Sequence, residues 1–187
     1  MGRHSDFHQV TMGFPPLPLL MNTCPQCGFS GTASTFDTPE TIPSSFKQQI
    51  IEHIQPIVTS QPLTAGRRYE LFALQKELLG ASAQEMGDYY LRASWAARDE
   101  GDDHEANYQH YALTFFHKAL SSDDEPVNEA DEAPITYLVG ELYRRTGDLD
   151  EAERWFARVL ERAEKDESWA RFAELAQRQR DTPQNMM

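Results

Sequence analysis

Apolar positions recur at helical spacing along most of this chain, and the pattern stops abruptly near its beginning. Phe46, Ile50, Ile51, Ile54 and Ile57 fall three and four residues apart, which predicts a helix over about 44–57 closed by Pro56. The next helix opens at Gly66 and carries Tyr69, Leu71, Phe72, Leu74 and Leu78 to Gly80. Ser82-Ala-Gln-Glu85 is a capping-box sequence, in which the serine accepts an N–H three residues on and the glutamate reaches back. It introduces a helix to about Asp99 that presents Tyr89, Tyr90, Leu91, Trp95 and Ala96. After GDDHE another helix runs to about Ser121 through Tyr108, Ala112, Phe115, Phe116 and Leu120. SSDDEPVNEADEAP reads as a loop whose like charges resist compaction. A helix over Pro134–Arg145 follows, then one capped by Asp148 and running to about Ala163, then a last one at about 167–180.

Before residue 43 the pattern fails. Of the 11 prolines, those at 15, 16, 18, 25, 39, 43, 56 and 62 crowd into the first third, where fixed φ and missing donors predict irregular chain. The expected organisation is a short irregular segment over 1–42, a helical domain over 43–180 and a disordered tail over 181–187. The fold class is mainly α.

The sequence ITYLVGELYRRTGDLDEAERWFARVL (135–160) resembles a tetratricopeptide repeat. Gly140 stands where the two helices of such a unit cross, Tyr143 at the groove, Gly147 at the turn, Ala152 at the small contact and Phe156 between the helices. Residues 87–120 read as a degenerate copy with Ala93 at the glycine position. Ala93 and Ala112 lie 19 apart against 12 for Gly140 and Ala152, so the copy carries a seven-residue insertion. The predicted architecture is therefore a TPR-like antiparallel helical array. Two units expose apolar faces, which the helices at about 67–79 and 167–180 would cap.

The irregular segment holds both cysteines, in MNTCPQCGFSG (21–31). Two residues between Cys24 and Cys27 let both thiolates reach one ion across a tight turn, and Gly28 lets the backbone fold beneath it. That is zinc-knuckle spacing. Tetrahedral zinc requires four ligands, so two more must come from elsewhere. His104 and His110 are six residues apart, a rotation of about 600° that separates their rings. His110 and His117 share a face but stand about 10 Å apart. His53 reads as half-exposed on its helix. His8, in the same irregular segment as the cysteines, is the expected in-chain ligand. A redox pair is the alternative, although no helix pattern follows Cys27 directly, as redox use of the motif requires.

Composition narrows the function classes. A formal net charge of −13 opposes nucleic-acid phosphates and acidic membranes. No run approaches the length of a membrane span, and prolines interrupt the apolar stretch Phe14–Met21, so a cytoplasmic location is expected. The chain carries no phosphate-binding glycine loop and no GxSxG. Its carboxylates lie in solvated runs, and Arg154, Arg158 and Arg162 form a stripe with acids beside it.

SDFHQVTMGFPPLPLLMNTCPQCGFSG, RRYELFAL, DYYLRASWAARDEG and YLVGELYRRTGDLDEAERWFARVL together resemble an uncharacterised prokaryotic family defined by a domain of unknown function. The resemblance implies a zinc-ribbon-like amino-terminal part and TPR-like helices after it. It also implies an earlier cysteine pair, upstream of the segment matching Ser5–His8, and a cysteine or histidine at the position of His8. It carries no catalytic residue. The expectation is a non-enzymatic interaction module for a protein or peptide partner, or for a second copy of itself. Cys24, Cys27 and His8 would belong to a structural zinc site whose other half precedes residue 1. A metal- or thiol-redox activity at the cysteine pair is the competing expectation.

Overall fold

A computed structural model describes residues 2–38 and 41–187; positions 1, 39 and 40 of the expected irregular segment lie outside the described residues. In chain order the elements are β1 (Gly2–Arg3), β2 (Gln9–Val10), α1 (Leu17–Leu20), β3 (Asn22–Thr23), β4 (Ser30–Gly31), α2 (Ala33–Asp37) and α3 (Ser44–Gln49). A π-helical turn (Ile50–Ile54) leads into α4 (Gln55–Val58). Then come α5 (Ala65–Leu78), α6 (Ala83–Glu100), α7 (Glu105–Leu120), α8 (Glu129–Thr146), α9 (Leu149–Ala163) and, after a 3-10 turn, α10 (Ala170–Asp181). The chain is mainly α, as expected. No helix among the described residues is long and apolar enough to cross a membrane.

Three of the long helices start at side chains that satisfy orphan N–H groups. Thr64 accepts from Arg67 N at 3.3 Å to begin α5. Both arms of the capping box form at α6: Glu85 N to Ser82 Oγ at 3.3 Å and Ser82 N to Glu85 Oε2 at 2.8 Å. Asp148 accepts from Glu151 N at 3.2 Å to begin α9. Gly101 and Gly147 end α6 and α8 with φ of 75° and 92°, a region open to glycine at little cost.

Two prolines act differently from expectation. Pro56 does not close its helix; helical turns continue to Val58. The π turn resets the hydrogen-bond register, with Gln55 N bonding Ile50 O, and places Pro56 in the first turn of α4, where a missing N–H costs little. Pro134 lies inside α8, which begins five residues earlier at Glu129. Glu129, Asp131 and Glu132 fill its first turn, where carboxylates complement the helix dipole, so the charge run read as loop is in part a helix start.

The chain forms two compact units, one of residues 13–112 and one of residues 1–12 with 113–187. In the first, α5 packs along α6, and Ile50, Ile54, Val58 and Leu71 form a core against which Phe29, Phe46 and Leu74 pack. A β-carbon on Gly66 would meet the Tyr108 ring at 2.5 Å, so a glycine is required at that crossing.

In the second unit α8, α9 and α10 enclose Tyr137, Phe156, Val159 and Trp169. A β-carbon on Gly140 would stand 2.8 Å from the Phe156 ring, the close crossing expected of that glycine. Residues 2–10 lie on these helices as an antiparallel ladder, pairing Gly2 with Val10. Phe7, at φ 72°, stacks on Tyr137 with centroids 5.4 Å apart. The fully buried Glu141 fastens this strap: it accepts from Ser5 Oγ at 2.5 Å and from Arg144 and Arg145 at 2.7 Å each. Of residues 181–187, expected as a disordered tail, Asp181 ends α10 and the rest fold back here, with Ser5 N bonding Asn185 O and Met187 N bonding Arg3 O.

Candidate functional site

The cysteine pair sits on a short hairpin. β3 and β4 pair antiparallel, Asn22 with Gly31 and Thr23 with Ser30, and CPQCG makes the turn between them. Cys24 N donates to Phe29 O at 2.8 Å, and Gly28 N donates back to Cys24 O at 2.8 Å. Gly28 has φ +77°, and a β-carbon there would lie 2.5 Å from Ile54 Cγ2. The sequence thus uses glycine for both the left-handed turn and the approach to the π-helical segment.

The turn is held by side chains that spacing did not indicate. Gln75 of α5, 2% exposed, donates Nε2 to Gly28 O at 3.1 Å and accepts Ser30 N on Oε1 at 3.1 Å. Gln55 donates to Gln26 O at 3.3 Å, and the Thr23 and Ser30 hydroxyls bond at 2.7 Å. Polar Gln75 within the α5 pattern was the one available signal, since a buried glutamine amide must find partners.

Both thiols are free and partly exposed. Burial raises the Cys24 thiol, but the N–H groups of Cys27 and Gln26 and the Cys27 thiol outweigh it and hold Cys24 below the ordinary cysteine value. Cys27 moves the other way, pushed up by burial and by the adjacent Cys24 against the N–H of Phe29. N–H groups directed at sulfur stabilise a thiolate, the form that binds a soft or borderline metal. Cys24 is thus the thiol nearer to that form, and Cys27 the further from it. Among the described residues no group of three or more His, Cys, Asp or Glu side chains is placed to hold a metal ion.

The structure gives the expected third ligand other surroundings. His8 is 3% exposed and stands in the strap of the other unit, its ring stacked on His4 with centroids 5.6 Å apart and its backbone N–H donating to Asp6 Oδ1 at 3.4 Å. His53 is half-exposed near Glu52, and His110 bonds Ala106 O on its own helix. His117 packs its ring edge-on to Trp155 and meets the Tyr143 hydroxyl at 3.0 Å through Nε2.

The arginine stripe on α9 is engaged within the chain. Arg154 pairs with Glu151, Arg158 lies over the Trp155 ring at 5.1 Å, and Arg162 reaches Glu132 at 3.1 Å. Alongside it α9 and α10 leave an open groove of about 640 Å³ bordered by Leu160, Ala173, Glu174, Gln177, Arg178 and Asp181.

No curated protein and no solved structure matches the chain. The family described as "uncharacterized protein conserved in bacteria" (DUF2225) matches residues 2–183, nearly the whole length with strap, knuckle and helices together. The chain belongs to that family.

Proposed function

We propose that this protein is a non-enzymatic, cytoplasmic interaction module: a TPR-like helical array that holds a protein or peptide partner, with Cys24 and Cys27 as half of a structural zinc site. The observation that carries this reading is the α8–α9 hairpin, in which Gly140 and Phe156 cross at the repeat's spacing. α8 is buried from Ile135 through Leu142, so the surface left for a partner is that of α9 and α10. Their groove has a polar border and an apolar floor at Leu160 and Ala173, the composition of a peptide-holding surface. Zinc is the metal that a pair of thiolates at this spacing takes, and bound there it would rigidify the turn. Cys24 and Cys27 supply two ligands, and the others would come from outside the described cluster. His8, stacked on His4 in the strap, is the in-chain residue proposed as a third ligand.

Affinity capture from the source cells tests the partner claim, comparing the intact chain with Gln177→Arg, an exposed change in the groove. A discrete protein held by the former and lost by the latter is expected. Recovery of general chaperones alone contradicts the reading.

The neighbouring thiols favour one other reading, reversible dithiol chemistry. There both thiols would pass to a disulfide, losing two protons and two electrons to an acceptor disulfide that becomes two thiols. Metal content and thiol alkylation separate the two. Bound zinc with slowly reacting thiols supports the structural role; metal-free protein that exchanges rapidly with a small disulfide supports the redox one.

A further inference from the structure

Beside the knuckle lies a cavity of about 350 Å³, bordered on one side by Cys24 and Cys27. Its size falls at the lower end of small-molecule sites, roughly 300–1,000 Å³. Beyond the cysteines its described walls are Phe29, Phe36, Ile42, Ile50 and Ile51, all apolar, and Lys47 borders it with its stem, the one charged residue there among the described residues. Lys47 is exposed and makes no ion pair among the described residues. In a chain of net charge −13 with few lysines, a cation without an ionic partner among the described residues beside an apolar hollow is a local reversal of the field.

The wall itself is unusual in backbone. Ile50 and Ile51 open the π-helical turn, a wider turn that tends to occur at functional positions in helices. Ile51 is 48% exposed, and Phe36 of α2, also lining the cavity, is 37% exposed. Exposed apolar side chains gathered round one concavity mark a binding surface more than a packing remnant.

We propose that this cavity binds a single-chain anionic amphiphile, a free long-chain carboxylic acid, with its alkyl chain against Phe29, Ile50 and Ile51 and its carboxylate at Lys47 Nζ. The apolar walls set the chain chemistry, and Lys47 sets the sign of the head group. This goes beyond the interaction reading and does not depend on it.

The test is displacement of a fluorescent fatty acid, cis-parinaric acid, from the purified full-length chain. Saturable binding at one site per chain is expected, with palmitate displacing the probe more effectively than hexadecanol. Lys47→Glu is expected to weaken palmitate about tenfold while leaving hexadecanol unchanged. Ile51→Asp, at an exposed position, is expected to weaken both, with an unaltered circular dichroism melt. No saturable binding by the native chain would overturn the proposal, as would a Lys47→Glu protein that keeps the preference for palmitate over hexadecanol. Cosedimentation with phosphatidylglycerol vesicles without palmitate binding would also overturn it, by assigning the cavity to a membrane surface.

Discussion

Gln75 shows how much of the knuckle depends on one buried amide. It satisfies the carbonyl of Gly28 and the N–H of Ser30 at once, on either side of the turn's exit. Gln75→Leu keeps the volume, leaves the Ser30 N–H buried without its partner and leaves the Gly28 carbonyl only the Ser30 hydroxyl. It should cost about 1–3 kcal/mol in denaturant unfolding and speed alkylation of Cys24 and Cys27. His117 offers a second residue-scale outcome. Burial lowers its pKa below the ordinary 6.5, with Arg158 acting the same way and Glu151 opposing. The folded state thus binds this proton less readily than the unfolded chain. Its contribution is complete above about pH 6.5 and is lost as pH falls towards the folded value. The melting temperature should decline across that interval, and His117→Phe should flatten the decline.

At the scale of elements, local chemistry was legible wherever it was self-contained. The Ser82–Glu85 box, the Asp148 cap and the Gly101 and Gly147 stops each depend on residues within one turn, so sequence spacing located them. The two proline readings failed because each depended on something beyond the local rule. A π turn placed Pro56 where its missing N–H is harmless, and an acidic first turn began α8 ahead of Pro134. Gly140 was read correctly as a crossing position, since its requirement comes from the facing Phe156 ring 2.8 Å from where a β-carbon would stand. Gly140→Ala should therefore destabilise by about 1–3 kcal/mol despite alanine's better helix propensity, measurable by chemical denaturation. An unchanged midpoint would show that Phe156 moves aside freely.

For the whole molecule, the mainly α fold was readable from periodicity, and the long-range connections were not. Nothing in SDFH indicates that Ser5 bonds Glu141, 136 residues away, or that Tyr137 donates to Ser5 O at 3.1 Å. Such contacts join segments whose local sequences are each self-consistent, and spacing rules carry no information about them. The candidate site divides in the same way. The knuckle itself was legible in CPQCG, whereas its support by Gln75 and the cavity beside it arise from tertiary packing. The interaction reading stands or falls on the surface of α9 and α10. It is tested most directly by a photo-crosslinking residue placed at Gln177 in the groove, with the same residue at exposed Gln48 as a control, irradiated in living cells. The account predicts a discrete crosslinked protein from position 177 and none from position 48. No adduct from position 177, or the same adducts from both, would contradict it.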